Sequence, residues 1–434
     1  MKDEARHFRL SLGANIKNLP VIVAFVENTS RICGLNKNGA LSVSLATEEV
    51  FSYLCKLNNA VRQINIECTD NIFNFQMSFL FEAKNLDLST FNITSKVQHH
   101  TDEGLESMGL IIASRSIDNF YLEEKNGNTL SLTLIKDKTY EKCEAAPVYK
   151  DAPSACVEIK TPGIEEIKVL SQMIAFHGKP ASYPDDFLYP GKMIDMFEAG
   201  ALDILIGLDS SSRVCGGIMW KNFGKKTAEF YGPYVFNKSE DELGHALLDE
   251  CIGALARTDA LSMVGLFHSG IAEDKYFESL GQASDLAEGE DHVTSRALFR
   301  QLKEDEGSSV WCHPDLEPFI EKEYQTHFFP REITKIKHFG ESISENSVIA
   351  TDFQHSGRKV VMRPILFGKD AESVIKEHVN LFKDEGIEDV CFEMDLGVAS
   401  QCSFTEALKN NGFEPVLLFP YGGIKDIVIF RHRG

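Results

Sequence analysis

The chain has 434 residues, a formal net charge of -21 and a pI near 5.1. At roughly 150 residues per domain it has room for about three, and so acidic a chain lacks the basic face a phosphate backbone requires, which excludes a general nucleic-acid binder. No stretch approaches the roughly 20 apolar residues of a membrane span, and the N-terminus MKDEARHFRL has no apolar signal core, so a cytoplasmic protein without a membrane partner is expected. Ten cysteines without a C-x-x-C pair read as free thiols in a reducing compartment. The adjacent His99 and His100, and Cys312 with His313, lack a third ligand at useful spacing, so no metal site is expected.

From the N-terminus, ARHFRLSL alternates as a strand and Asn18 to Ile32 reads as a helix. After the break GLNKN comes a long helix containing LATEEVFSYLC. Its apolar stripe is Val43, Ala46, Val50, Leu54 and Leu57; Leu45, Glu49 and Tyr53 form the neighbouring row. Glu49 therefore falls at the margin of the buried face, and Glu48 points further towards water. INIECT and IFNFQMSFLFE read as an antiparallel pair, followed by a short helix near Ser107 to Arg115 and a hairpin turning at Asn126-Gly127. Residues 1–137 thus predict an α+β sandwich with strands on one side and helices on the other.

Residues 138–155 are polar and aperiodic and read as a linker. Residues 156–302 follow the order strand CVEIK, helix Ile164 to Phe176, loop HGKPASYPDDFLYPG, helix, strands DILIGLD, VCGGIMW and TAEFYGPYVF, helix Glu240 to Ala256, strand LSMVGLF, and a helix ending in SLGQ. Gly216 and Gly217 predict a bulge or a close backbone approach, and Gly232-Pro233 a bulge or an edge kink. The loop before Gly191 either roofs a ligand pocket or covers the sheet. Residues 303–314 read as a second linker. Residues 315–434 carry strand KVVMRPILF, helix Ala371 to Lys383, strand DVCFEMDL, helix Ser403 to Asn410 and strand KDIVIFRHR, an outline shared with the preceding unit.

In element order, residues 5–137 resemble the histidine-kinase-like ATPase fold of the anti-sigma-factor serine/threonine kinase type. The resemblance puts Glu49 at the position of the general base and Tyr53 where a Mg²⁺-binding asparagine stands. Glu82 and Lys84 replace the adenine-reading aspartate and its glycine. Gly109 and Leu110 follow Ser107 in the phosphate loop, and Gly127, Asn128 and Thr129 keep the closing Gly-x-Thr. A phenol with a pKa of about 10 is a poor Mg²⁺ ligand, and Lys84 crowds the base, so the resemblance implies a degenerate nucleotide domain in which ATP and Mg²⁺ binding have decayed.

Residues 156–300 resemble a GNAT acyltransferase, which implies acyl-CoA as cofactor. The family's R/Q-x-x-G-x-G/A loop, which cradles the CoA pyrophosphate, is absent from YVFNKSEDELGHALL. Gly244 and His245 arrive late, inside the helix, and Glu240, Asp241 and Glu242 crowd its first turn, where they complement the helix dipole and repel a pyrophosphate. The resemblance gives the backbone of Tyr234, Val235 and Phe236 the role of holding a thioester, and makes His245 and Glu242 candidate bases. Tyr276 is a candidate acid, one position off the family's tyrosine, where Phe277 stands as packing. Gly412-Phe413 implies that the last segment is a second, non-catalytic GNAT-like lobe.

The fold expected is therefore an ATPase-like sandwich followed by two GNAT-like mixed-sheet domains. Three functions follow: an N-acyltransferase acting on a small-molecule or protein amine, a non-catalytic signalling protein that binds a ligand or a regulatory protein partner, or a serine/threonine kinase acting on a protein partner.

Overall fold

A computed structural model describes residues 6–56, 62–82, 92–94, 116–125, 129–178, 182–237, 240–268, 276–288, 291–337, 343–354, 359–387 and 389–433. The helix expected near Ser107 to Arg115 and the Asn126-Gly127 turn lie outside them. The chain is a mixed α/β structure with several sheets, divided into two compact units. The first comprises residues 1–139, 341–352 and 362–381; the second comprises 140–340, 353–361 and 382–434.

The first unit has a sheet of β1 (His7–Gly13), β2 (Gln63–Asp70), β3 (Asn74–Glu82), β4 (Asn119–Glu124) and β5 (Thr129–Asp137), in the order β1-β2-β3-β5-β4. Every pairing is antiparallel. Period-2 alternation sends Ile64, Ile66, Cys68, Phe75, Met77, Phe79, Leu132 and Leu134 into one core. Two helices cover it, α1 (Leu19–Ile32) with Ile22 and Val26, and α2 (Lys37–Lys56) with Val43, Ala46, Val50 and Leu54. Gly34, at φ +89°, ends α1 in the left-handed conformation that glycine adopts without strain. The opposite face of the sheet is polar. There Ser78 and Thr133 share a hydrogen bond of 2.8 Å, and Ser11 donates to Asn65 at 2.6 Å.

Much of β15 (Val348–Gln354), β16 (Lys359–Leu366) and helix α7 (Ala371–Asp384) also belongs to this unit, although residues 315–434 read in sequence as a separate lobe. Val348 and Ala350 enter its core. Asn92 locks them there, its amide donating to the Ser347 carbonyl and accepting from the Ile349 N–H, both at 2.8 Å.

In the second unit a seven-stranded sheet is built from β6 (Cys156–Lys160), β7 (Asp203–Asp209), β8 (Val214–Phe223), β9 (Thr227–Val235), β10 (Ser262–Phe267), β11 (Glu278–Glu288) and β12 (Asp291–Gln301). Its order is β11-β12-β10-β9-β8-β7-β6, antiparallel except between β9 and β10. Helix α5 (Glu240–Leu255) packs Leu243, Leu247, Leu248 and Cys251 against Ile218, Ala228, Phe230 and Met263. Helix α3 (Ile164–His177) also packs close to the sheet: a Cβ on Gly217 would come within 2.9 Å of Leu170. On the β7 side, β8 advances two residues from Val214 to Gly216 while β7 advances one, so the bulge and the close approach expected of Gly216-Gly217 both occur.

The helix expected to end in SLGQ is instead strand β11. Gly281 sits at φ +129°, which no helix contains, and Leu280 and Ala283 are buried in a hairpin with β12. Of the stretch 138–155, read as a linker, residues 140–155 belong to the second unit and are bound along it. Tyr140 donates to Asp195 at 2.6 Å, and the Val214 N–H donates to the Tyr149 hydroxyl at 3.0 Å. Within 303–314, also read as a linker, β13 (Ser308–Cys312) pairs in parallel with β14 (Arg331–Lys335). Strands β17 (Asp389–Asp395), β18 (Phe413–Phe419) and β19 (Ile427–His432) complete the unit in the order β17-β19-β18. Gly281 lets Leu417 approach to 3.0 Å of where its Cβ would be, and Arg331 is buried between Asp305 at 2.7 Å and Asp426 at 2.8 Å.

Two tests follow from this packing. Phe79 is fully buried, so Phe79→Ala is expected to destabilise the protein by about 3–5 kcal/mol in urea denaturation, against a few tenths for the exposed Glu48→Ala. Asp209 accepts hydrogen bonds from the N–H groups of Ser154, Ser211 and Arg213 and from the Arg213 guanidinium. Burial alone would raise its pKa; these donors outweigh burial and hold it well below the usual carboxylate range. The stabilisation is complete above about pH 4, the unfolded carboxylate value, and is lost as pH falls below it. Asp209→Asn is therefore expected to lower the melting temperature at pH 7 and to flatten its decline between pH 4 and pH 2.

Candidate functional site

The second unit's sheet opens beside β9. Parallel pairing with β10 runs from Thr227 opposite Ser262 to Tyr231 opposite Phe267 and, among the described residues, goes no further. On the other side, β8 advances from Gly217 to Met219 while β9 covers Tyr231 to Tyr234, one residue more. That extra residue is a β-bulge, which bends the strand and breaks the ladder. Gly232, at φ +93°, takes a conformation that a side chain would strain, and Pro233 has no N–H with which to continue pairing. The Phe236 N–H returns to the Cys215 carbonyl at 2.9 Å. Alternation along the antiparallel ladder then turns the N–H and C=O of Val235 away from β8, into the gap. Of the two readings of Gly232-Pro233, the structure has the bulge.

The side chains beside the gap are unusual for a strand interior. Glu229 is only 5% exposed. It accepts a hydrogen bond of 2.5 Å from the Tyr231 hydroxyl, and Lys221 stands 3.6 Å away. Phe187 packs edge-on against the Tyr231 ring at 5.1 Å. The Tyr234 hydroxyl donates to the Ser182 carbonyl at 2.9 Å, which ties the loop after α3 to the bulged end of β9. Burial, then Glu229, pushes the Tyr231 phenol well above its ordinary pKa; burial, then Tyr183 and Glu229, does the same for Tyr234. Both therefore stay protonated and act as neutral donors.

The other sequence candidates fall into separate clusters. Half-buried His245 lies on α5 with its ring 5.6 Å from Tyr276, whose carbonyl accepts from Arg300 at 2.7 Å. Tyr276 occupies the turn before β11, off any helix, and Phe277 stacks on Phe230 at 4.8 Å. Gly244 is buried within α5, and Phe236 lies 5.5 Å from the His177 ring. In the first unit, Glu49 is half-buried on α2; burial first, then Glu48, raises its carboxyl pKa. Tyr53 packs at the margin of the same core, and Glu82 and Thr129 are cross-strand neighbours on β3 and β5. Lys84, His99, His100, Gly109, Leu110 and Gly127 lie outside the described residues. No group of three or more His, Cys, Asp or Glu that could hold a metal occurs among the described residues.

An acyl-CoA would meet two different surfaces here. The amide-bearing arm finds the outward-turned peptide of Val235. The pyrophosphate finds no glycine loop: Asn237, in that loop, is buried and donates to the Ser154 carbonyl at 3.1 Å, and Glu242 stands exposed in the following helical turn. The arm fits these residues and the pyrophosphate does not.

Sequence reasoning missed Glu229 and Tyr231. A signal was present: Glu229 is the one charge in the otherwise apolar run TAEFYGPYVF, and Tyr231, two residues on, shares its strand face.

No protein-family model matches the chain, and no curated protein matches it; neither search supports the ATPase-like resemblance of residues 5–137. Among solved structures, a Salmonella typhimurium acetyltransferase with its cofactor acetyl-CoA is similar over 35% of this chain and 96% of its own, at 14% identity and a TM-score of 0.29. A GNAT-superfamily phosphinothricin acetyltransferase of Sinorhizobium meliloti, in complex with acetyl-CoA, is similar over 34% and 90%, at 14% identity and a TM-score of 0.28. An Escherichia coli GNAT-family N-acetyltransferase in complex with CoA is similar over 36% and 86%, at 15% identity and a TM-score of 0.25.

The pairing of Glu229 and Tyr231 can be tested by itself. Tyr231→Phe keeps the ring packing and removes the donor from a buried carboxylate, which is expected to cost about 1–3 kcal/mol in chemical denaturation. A change of a few tenths would show that Tyr231 does not support Glu229.

Proposed function

We propose that residues 156–302 form an acyl-transfer lobe that passes an acyl group from a thioester donor to an amine of a small molecule or protein. The observation supporting this reading is the break beyond Tyr231, where β9 loses its β10 partner one residue before Gly232-Pro233 and two residues after the buried Glu229, which accepts from the neutral Tyr231 phenol. A bound thioester donor supplies the activated acyl group. Val235 binds the donor's amide-bearing arm as an added strand would be bound, through its outward N–H and C=O. Glu229 takes the proton lost by the acceptor amine, and Tyr231 holds that carboxylate in place. The departing thiolate takes up a proton from solvent, and Tyr276, in a separate cluster with His245, is given no step.

No step is assigned to the pyrophosphate end, where Glu240, Asp241 and Glu242 follow one another in the sequence. That acidic turn supports a second reading, in which the lobe binds a ligand without turning it over.

Thermal unfolding with acetyl-CoA, longer acyl-CoAs and S-acetylpantetheine tests the proposal. A thioester at 100 times its Kd is expected to stabilise the protein by about 2.7 kcal/mol, with the nucleotide-free compound as effective as acetyl-CoA. Glu229→Gln should keep that stabilisation and lower kcat towards amines by about 10²- to 10⁴-fold. If no thioester shifts the transition, the donor assignment is wrong; a shift without turnover of any amine selects the binding module.

A further inference from the structure

Lys221 on β8 and Glu229 on β9 are direct partners across the antiparallel ladder. Their side chains share a face of the sheet with Tyr231, two residues further along β9. The Lys221 ammonium stands 3.6 Å from the Glu229 carboxylate and lies over the Tyr231 ring, 5.3 Å from its centre. Tyr231 is the last residue of β9 paired with β10 among the described residues, so the ammonium lies where the break begins. A surface lysine ordinarily carries its charge out to water on a flexible four-carbon stem. Here the charge is held over the sheet instead, beside a buried carboxylate, although the side chain remains 38% exposed and within reach of a ligand.

The contact between the two charges is loose. A hydrogen bond from an ammonium to a carboxylate runs about 2.7–2.9 Å, which 3.6 Å exceeds; Glu229 is fixed by the 2.5 Å bond from the Tyr231 hydroxyl. Lys221 can therefore move without unseating the carboxylate. Lys192 gives the contrast, donating to Asp186 at 2.8 Å as an ordinary ion pair does. Neutralising a buried charge would account for a lysine next to Glu229, but that role is filled best at hydrogen-bond distance, and Lys221 stands outside it.

Resting on the acyl-transfer reading of this lobe, we propose that Lys221 is itself an acyl acceptor, so that the lobe acylates its own chain at this lysine. Its nitrogen already holds the place an acceptor amine must reach: beside the base, over an aromatic face that favours a cation, and at the break in the sheet. Glu229 takes one proton from the ammonium, and the freed lone pair attacks the thioester carbonyl. The N–C bond forms, and the C–S bond breaks as the tetrahedral adduct collapses. The nitrogen's second proton passes through solvent to the departing thiolate, and Glu229 returns its own proton to water. An amide has no leaving group comparable to a thiolate, so the reaction stops at one acyl group per chain.

Incubation of the full chain with S-acetylpantetheine or acetyl-CoA at mildly alkaline pH, followed by peptide mass spectrometry, tests this. Lys225 and Lys226, both exposed after the same strand, are internal controls for uncatalysed acetylation. Because base and acceptor are held together in one chain, Lys221 is expected to be acetylated at least about 10-fold faster than either, with a rate constant that does not change on dilution of the protein. The preference should vanish in urea, and Glu229→Gln should slow the reaction by about 10²- to 10⁴-fold. Equal rates at the three lysines overturn the inference, as does a Lys221 acetylated equally fast in Glu229→Gln. An unmodified Lys221 in a protein that acylates added amines also overturns it and leaves the acyl-transfer reading standing, whereas a protein whose unfolding no thioester shifts loses both.

Discussion

One extra residue in β9 shapes the second unit's sheet. Across the span where β8 advances two positions, β9 advances three. The surplus bends the strand out of line, and its parallel pairing with β10 ends at Tyr231. A sheet with every ladder complete has no backbone groups to offer a ligand, since each is already bonded. The bulge turns the Val235 peptide away from β8, at the end of a strand that is otherwise buried. Glycine and proline make this possible by different means: one tolerates the positive φ and the other removes a donor that would need a partner.

The buried charges fall into two kinds. Asp209 and Arg331 are surrounded by partners that belong to the fold. Asp209 gathers backbone donors from Ser154 and from the β7–β8 turn, and Arg331 lies over the Tyr421 ring at 4.4 Å, between two carboxylates. Such groups tie segments together, and removing one partner strands the other in a poor solvent. Glu229 differs. Among the described residues its partners are one phenol and a lysine at 3.6 Å, a small set for a carboxylate with roughly four lone-pair sites. A carboxylate so placed, next to a break in the sheet, has acceptor capacity left for a ligand.

The first unit shows how far local pattern carries and where it stops. The stripe Val43, Ala46, Val50, Leu54 is buried as its spacing requires, and Glu49 lies at the margin of that face. Alternation in β2 and β3 likewise separates the core face from the polar one. Local pattern did not reveal that Val348 and Ala350, more than 200 positions away, complete the same core, with Asn92 bonded to Ser347 and Ile349. Strand β11 failed for the opposite reason. SLGQ follows apolar residues at helical spacing, and the hairpin with β12, a partner beyond it in sequence, decides its conformation.

What the sequence determined by itself was periodicity and punctuation: which residues face a core, where Gly232-Pro233 interrupts a strand, and where three acids open a helix. Those properties depend on neighbours within a few positions, so one chain read in order suffices. Pairing partners, the direction of a released peptide and the company of a buried acid were decided by tertiary structure. They depend on residues brought together from distant positions, as the Tyr234 hydroxyl is with the Ser182 carbonyl, and no local window contains both.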